Sequence, residues 1–295
     1  MTINCDQWLA PYIGKLDGKR IALFGATGGI GGELCRYILK LGGTLITVDR
    51  NPKKAACLQQ KLALEFPNSD LVRMTADLEN IESVENVCRE LMRVGVDIVI
   101  HNAGAYHIPR HTCSTGWNNV FQINFVSPYY VTARLAEHLS NRGGRVVAVG
   151  SIAHRYADTD PDDVDFSTRR QSSLVYGNAK RHLMGALPDL VQGYPNVSLA
   201  VTHPGITLTN ITAHYPKWVF ALIKHPMKWI FMPPKVAALS IVQGLFETTE
   251  TDEWIGPRRF GVWGKPTKSK LDSISVEERI RIARVGAEIE RRITR

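Results

Sequence analysis

The stretch GATGGIGGEL, residues 25–34, decides the fold because a glycine-crowded turn here joins a strand pattern to a helix pattern. Glycine permits positive φ and close backbone approach, and a helix N-terminus offers free N–H groups to a pyrophosphate. The next predicted strand ends on an acidic residue, Asp49, which lies 24 positions after Gly25. A strand, a glycine turn, a helix and an acidic strand end, in that order, predict a dinucleotide-binding unit rather than a flexible turn.

Six short apolar, β-branched runs alternate with helical stretches along the chain, and they begin at residues 20, 44, 71, 96, 145 and 197. Such alternation is typical of a parallel sheet covered on both faces. A seventh, weaker run is RRFGVWG, residues 258–264. Because no repeat or linker divides the chain, we predict one α/β domain over residues 1–295, a Rossmann doubly wound parallel sheet of about seven strands in the order 3-2-1-4-5-6-7.

Composition is ordinary for a globular enzyme, with 44% hydrophobic and 22% charged residues among 295. The net charge of +8 is spread along the chain, so we expect it to serve solubility, with no nucleic-acid partner. The five cysteines are scattered and form no CxxC pair, which favours a reducing compartment over a disulfide framework. No apolar export signal and no run of ~18 apolar residues is seen, so we expect a cytoplasmic protein.

The tail, residues 273–295, shows a helical pattern with many charges. Ser275 and Glu278 fit a capping box. A stripe at helical spacing follows, formed by Ile282, Val285, Ile289 and Ile293. We predict a terminal helix that lies on the surface of the domain with its charged face in solvent.

Tyr176 and Lys180 are four positions apart on a predicted helix, so they share a face. A free phenol titrates near 10, and an adjacent ammonium favours the phenolate, so we expect Lys180 to lower the pKa of Tyr176. A packed tyrosine followed by a solvated lysine would give the same spacing by chance. The position of the pair, 25 residues after Ser151 at a predicted strand end, favours a proton-transfer role instead. Tyr176 would protonate a carbonyl oxygen, or deprotonate an alcohol in the reverse direction.

Several fragments, in this order along the chain, together resemble the short-chain dehydrogenase/reductase family over about residues 18–265. They are GATGGIG, HNAG at 101–104, Asn124, Ser151, the pair Tyr176 and Lys180, and HPGITLT at 203–209. The glycine spacing also fits the longer, epimerase-like branch of that family, whereas NAG and the chain length favour the single-domain oxidoreductase branch. The family usually has threonine before the first glycine of the loop, where this chain has Phe24.

The resemblance implies a set of site residues. Ser151 would hold the substrate oxygen, Lys180 would also bind the nicotinamide ribose, and Asn124 would anchor a water that relays protons. The implied catalytic residues are Asn124, Ser151, Tyr176 and Lys180. The implied cofactor contacts are Gly25, Thr27, Gly28, Gly29, Ile30, Gly31, Asp49, Arg50, Asp77, Leu78, Asn102, Ala103, Gly104, Tyr176, Lys180, Pro204, Gly205, Ile206 and Thr209.

The cofactor is predicted to be NAD, with NADP as the alternative. Asp49 would accept hydrogen bonds from the adenosine ribose and repel a 2′-phosphate. Arg50, with Lys53 and Lys54 nearby, could instead neutralise that phosphate. No metal site is predicted, because the loop that carries His101, His107 and His111 shows no HExxH or acidic partner pattern.

The substrate is predicted to be lipophilic, such as a steroid or retinoid. The stretch from Ser151 to Tyr176 begins S-x-A-H and is long, which resembles the retinol-dehydrogenase-like branch. A segment at about 207–235 is rich in aromatic residues and lysines, which suits a lid over an apolar pocket, a peripheral membrane contact, or plain core packing. The resemblance implies a homodimer or homotetramer. Two other functions stay open: a non-catalytic NAD(P)-sensing protein and a nucleotide-sugar epimerase or dehydratase.

Overall fold

A computed structural model describes residues 3–207 and 231–293, and its centre is one sheet of eight strands in the order β3-β2-β1-β4-β5-β6-β7-β8. The strands are β1 Arg20–Phe24, β2 Thr44–Asp49, β3 Leu71–Thr75, β4 Ile98–His101, β5 Arg145–Val149, β6 Ser198–Thr202, β7 Glu253–Arg259 and β8 Trp263–Lys270. Strands β1 to β7 pair in parallel, and β8 pairs antiparallel to β7. The Rossmann class and the predicted strand order are confirmed, with one strand more than expected.

The extra strand also corrects the prediction for residues 258–264. Those residues end β7, form the turn and begin β8, and Phe260 and Gly261 in the turn have φ of 55° and 70°. The strands themselves were hard to see because Pro257 lies inside β7 and Pro266 inside β8, where the two are paired. Proline and lysine are typical of an edge strand, which needs no alternating apolar face.

Helices cover both faces of the sheet, as predicted. They are α1 Cys5–Leu9, α2 Gly29–Lys40, α3 Pro52–Glu65, α4 Ile81–Val94, α5 Asn119–Phe121, α6 Ser127–Ser140, α7 Ser172–Gln192, α8 Pro234–Gly244 and α9 Val276–Ile293. Their starts are encoded locally, since the side chains of Asn51 and Asn80 accept hydrogen bonds from the first turns of α3 and α4. None of the described helices combines the length and apolar character needed to cross a bilayer.

Two apolar cores lie on opposite sides of the sheet. Helices α4, α6, α7 and α9 contribute to the first core, where Phe121, Phe125 and Trp254 are buried. Helices α2, α3 and α8 contribute to the second, around Ile38 and Leu239. Both faces of β1, β2, β4, β5 and β6 are covered, so these five strands read as nearly continuous apolar runs in the sequence.

The start of helix α9 and its apolar stripe agree with the prediction, but its charged residues are not all in solvent. Ser275 Oγ accepts the N–H of Glu278 at 3.2 Å, while Ile282 and Ile289 are fully buried. The carboxylate of Glu278 is buried as well and binds Arg181 of α7, so this charge is not in solvent. The tail is therefore fastened into the domain by an ion pair that helical periodicity could not reveal.

Candidate active site

The glycine turn after β1 needs glycine at two positions. Gly25 has φ of 84°, and a Cβ there would lie 2.7 Å from Cα of Ala103. A Cβ on Gly31 would lie 2.1 Å from the carbonyl oxygen of Gly25. Asn102 Nδ2 donates to that same oxygen at 2.9 Å, which ties the turn to the end of β4. The turn is thus held against the backbone that follows β4. The first N–H groups of α2 can then bind an anionic ligand.

Asp49 lies beside this turn at the end of β2 and is only 4% exposed. Its Oδ1 accepts from the backbone N and the Oγ1 of Thr27, at 2.9 and 2.8 Å. Within the described part of the chain no donor reaches its buried Oδ2. A buried acceptor without a partner is costly, so this oxygen fits the hydroxyls of a bound ribose.

Arg50, the residue that follows, is engaged by a carboxylate. Its Nη1 lies 3.1 Å from Oε1 of Glu79, although the Arg50 side chain is 66% exposed. Glu79 stands on the β3–α4 turn, where Asp77 Oδ1 accepts its N–H and the carbonyl oxygen of Leu78 accepts from Ser127 Oγ. Asp77 and Leu78 therefore lie on a braced turn on the β3 side of the sheet, next to the Arg50 side chain.

Asn124 is fully buried in a single π turn, Gln122–Val126, between α5 and α6. Its Nδ2 donates to the carbonyl oxygens of Ala105 and Val120 at 2.8 Å each, and its Oδ1 accepts the N–H of Ala105 at 3.3 Å. A π turn inserts one residue into a helix and is frequent at functional sites. Here it turns the amide of Asn124 toward the loop that follows β4.

Ser151 follows β5 and caps a short 3₁₀ turn, Ile152–Tyr156, with Oγ accepting the N–H of Ala153 at 3.2 Å. Tyr176, on α7, has its pKa raised to about 12. Burial is the main cause; hydrogen bonding to the Ser151 side chain acts in the opposite direction, and the neighbouring Tyr106 adds a smaller upward shift. The Ser151 side chain therefore lies within reach of the Tyr176 hydroxyl.

Lys180 is buried one turn further along α7, and its Nζ donates to the carbonyl oxygen of Val149 at 2.8 Å. Burial lowers the pKa of Lys180 to about 7. Its Nζ stands 5.8 Å from the centre of the Tyr176 ring. The expectation that Lys180 acidifies Tyr176 is wrong for this structure, because the ammonium is directed at a carbonyl oxygen and burial dominates the pKa of the phenol.

Three residues near this centre were not predicted. The ring of Tyr106 meets that of Tyr176 edge to face, with centroids 5.4 Å apart. His154 is buried between Ser151 O, at 2.5 Å from Nδ1, and Ser273 Oγ, at 2.7 Å from Nε2. Arg181 donates to the carbonyl oxygens of His154 and Ser273 as well as to Glu278. The S-x-A-H pattern contains His154, but nothing in the neighbouring sequence indicated its partner Ser273, which comes from the tail.

The loop after β6 supplies the last predicted contacts. Gly205 has φ of 80°, and a Cβ there would lie 2.8 Å from the carbonyl oxygen of Val262 in the β7–β8 turn. Ile206 O accepts the N–H of Met232 at 2.8 Å. Pro204 precedes them directly. Thr209 and most of the segment predicted as a lid, residues 208–230, lie outside the described residues.

The three histidines considered for a metal site do not gather. His101 is buried with Nε2 2.9 Å from Thr132 Oγ1, and burial lowers its pKa to about 3. His107 Nδ1 lies 2.9 Å from Ser172 Oγ. His111 Nε2 instead faces Glu79 Oε2 at 3.0 Å.

Comparison with known proteins places this chain. A family model described as short chain dehydrogenase matches residues 19–161. Retinol dehydrogenase 14 of mouse is 27% identical over 216 residues, which span 68% of this chain and 65% of that protein. Human polyprenol dehydrogenase is 25% identical over 277 residues, which span 85% of this chain and 78% of that protein. The family model and these relatives support the chain as a member of the short-chain dehydrogenase/reductase family. The chain is accordingly an NAD(P)-dependent oxidoreductase, resembling the retinol-dehydrogenase-like members.

Solved structures agree on the fold of this family member. An uncharacterized protein of Mycobacterium paratuberculosis superimposes with a TM-score of 0.76 at 20% identity, covering 96% of this chain and 97% of that one. A short-chain dehydrogenase of Sphingobium yanoikuyae, solved in complex with NADPH, gives a TM-score of 0.60 at 20% identity over 77% of this chain and 84% of that one.

Proposed function

We propose that this oxidoreductase interconverts a lipophilic alcohol and its carbonyl compound, with Tyr176 as the acid and base. The proposal rests on the two side chains that lie next to Gly104. A Cβ at this position would lie 2.9 Å from Asn124 Oδ1 and 3.7 Å from Lys180 Nζ. Two elements distant in sequence thus bring both groups to one backbone position in the loop after β4, which we propose as a wall of the cofactor cleft. A sensor without turnover needs no such convergence.

The raised pKa of Tyr176 suits carbonyl reduction. At neutral pH the phenol keeps its proton, which it can donate to a carbonyl oxygen held by Ser151 while the bound nicotinamide supplies hydride. Alcohol oxidation needs the phenolate, so its rate should rise with pH, while reduction should not. Tyr176→Phe removes the acid and leaves the ring, so reduction should fall by roughly 10²–10⁴-fold. Unchanged reduction in this variant would contradict the mechanism.

We propose NAD as the preferred cofactor. The free Oδ2 of Asp49 fits ribose hydroxyls and repels a phosphate, and Arg50 is already engaged by Glu79. Fluorescence titration of the protein with NADH and NADPH should show tighter NADH binding, and Asp49→Ser should narrow the difference. Tighter binding of NADPH would show that Arg50 leaves Glu79 for the 2′-phosphate.

The substrate class rests on an apolar cluster packed against Tyr176. Val120, Ala157, Phe166 and Val175 form a small buried cluster of their own. The half-buried residues that pack on it are Ile108, Leu174 and Tyr176. The relatives named for retinol and polyprenol act, by those names, on long apolar alcohols. A panel of retinoid, polyprenoid and steroid substrates, read by absorbance of the reduced nicotinamide, tests this class against small polar ketones.

We further propose a single domain over residues 1–295, a dimer or tetramer, and a cytoplasmic location with peripheral membrane contact through the segment at about 207–235. The one sheet and its two cores, which involve helices from α2 to α9, support the single domain. Light scattering measures the oligomeric state. Liposome flotation of the full chain and of a variant with the segment's lysines replaced tests the membrane contact.

A further inference from the structure

Three side chains with metal-binding atoms meet beside the β3–α4 turn, and none of them is among the proposed catalytic residues. Glu79 lies on that turn, while His111 and Cys113 lie in the loop between β4 and α5. One ligand atom from each, a carboxylate oxygen, an imidazole nitrogen and the thiol sulfur, all lie within 4.8 Å of one another. Glu79 precedes His111 by 32 positions, so the spacing of residues in the sequence gave no sign of this acidic partner.

The spacing is close to that of a tetrahedral zinc site. Zinc bond lengths of about 2.0–2.3 Å place neighbouring ligand atoms roughly 3.4–3.6 Å apart. His111 Nε2 and Glu79 Oε2 are 3.0 Å apart. These two atoms need to separate by only about 0.5 Å to bind one zinc ion together. The largest distance between two of the ligand atoms is at most 4.8 Å. Side-chain rotation that brings those two atoms about 1 Å closer would give the spacing of a zinc site.

The backbone of the loop is braced where the ligands stand. His111 O accepts the N–H of Asn119 at 3.0 Å, and Cys113 exchanges backbone hydrogen bonds on both sides of its turn: its N–H goes to Trp117 O at 2.8 Å and its O accepts from Gly116 at 2.9 Å. A ligand set on a braced backbone loses less entropy on binding than one on a free loop.

The local charge favours a cation. The carboxylates of Glu79 and Asp77 both lie near the Cys113 thiol. A coordinating thiol binds as the thiolate, so binding of an ion would release the thiol proton. The two oxygens of Glu79 are already divided, because Oε1 accepts from Arg50 and Oε2 faces His111. Arg50 can therefore keep its hydrogen bond while Oε2 binds the ion, as outer partners of metal ligands do.

We propose that Glu79, His111 and Cys113 bind one zinc ion, with water in the fourth position. Mixed sulfur, nitrogen and oxygen donors suit zinc and not magnesium or calcium. The ion would join the β3–α4 turn, which carries Asp77, to the loop that continues from Asn102–Gly104. Both are proposed walls of the cofactor cleft, so zinc would brace that cleft from outside.

Cobalt is the probe for the test, because a thiolate bound to Co²⁺ gives an intense near-ultraviolet charge-transfer band. The full chain, reduced and stripped with a chelator, is titrated with Co²⁺ and then with Zn²⁺. One equivalent of Co²⁺ should give the band, and Zn²⁺ should remove it. The band should vanish in Cys113→Ser and persist in Cys57→Ser, which changes an exposed cysteine elsewhere.

Two more variants separate ligation from misfolding. His111 is 55% exposed, so His111→Gln should leave the melting temperature unchanged while it weakens Zn²⁺ binding at least about tenfold. Glu79→Gln should weaken it comparably. Absence of the band in the wild type, its survival in Cys113→Ser, or unchanged Zn²⁺ affinity in His111→Gln would each overturn the proposal. None of these measurements depends on catalytic turnover.

Discussion

Loss of the buried pair between Arg181 and Glu278 should destabilise the protein strongly. The two side chains are 5% and 6% exposed, and the guanidinium binds both carboxylate oxygens. Glu278→Gln keeps the shape but leaves the Arg181 charge buried, with backbone oxygens and the exposed Asp158, at 3.5 Å, as its remaining acceptors. Breaking a buried pair in this way costs about 3–5 kcal/mol, and the remaining acceptors favour the lower end, about 3 kcal/mol. At about 2 °C per kcal/mol, the melting temperature should fall by about 6 °C.

Urea unfolding of the wild type and three variants measures this effect. Glu288→Gln is the matched control, because Glu288 forms an exposed pair with Arg292 on the same helix and should cost less than about 1 kcal/mol. Replacing both buried partners, Arg181→Met with Glu278→Leu, should recover most of the loss, since it removes both charges. A loss in Glu278→Gln no larger than in Glu288→Gln would refute the reasoning.

The pH dependence gives the same pair a second signature. Burial opposes ionisation of Glu278, but its hydrogen bonds with Arg181 and the arginine charge outweigh burial and hold the pKa of Glu278 below the ordinary value. A carboxyl with a lowered pKa stabilises the fold above its unfolded value, about 4.3, and loses that contribution as the pH falls through the folded value. The gap between wild type and Glu278→Gln should therefore be full at pH 7 and close in acid.

Three further outcomes are expected. Gly31→Ala should weaken NADH binding and lower the free energy of unfolding, because its Cβ would lie 2.1 Å from the Gly25 carbonyl oxygen. In the control Gly143→Ala the Cβ meets nothing within 4 Å, so this variant should pay only the strain of its φ of 58° and keep its NADH affinity. Calorimetry measures both quantities. At about pH 6, Lys180→Met should have a larger free energy of unfolding in urea than the wild type, and this difference should shrink above pH 7. The reason is that Lys180 loses its proton near pH 7 in the folded state but only near 10.5 in the unfolded chain. Asn124→Leu should lower kcat with little change in NADH affinity, because the amide fixes the Ala105 backbone rather than the glycine turn; a loss of affinity as large as that of Gly31→Ala would contradict this.

The sequence predicted much of the candidate active site because many of its residues belong to short patterns of neighbouring residues. The glycine turn, Asp49 and the strand ends all follow from periodicity and from backbone requirements of neighbouring residues. The family resemblance added the order of Asn124, Ser151, Tyr176 and Lys180, whose roles stay proposals. The strand order needed only the alternation of strands and helices, since parallel strands with right-handed crossovers allow few arrangements.

What only the tertiary structure decided depends on burial and on pairs distant in the chain. The pKa of Tyr176 rises because burial outweighs the hydrogen bond with Ser151, and spacing along the sequence carries no measure of burial. Arg181 and Glu278 are 97 positions apart, so a surface-like pattern of charges concealed a buried pair. The metal-ligand set of Glu79, His111 and Cys113 arises because the ends of parallel strands gather side chains from separate segments at one edge of the sheet. Periodicity fixes which face of an element is apolar, and packing alone fixes which charges meet across it.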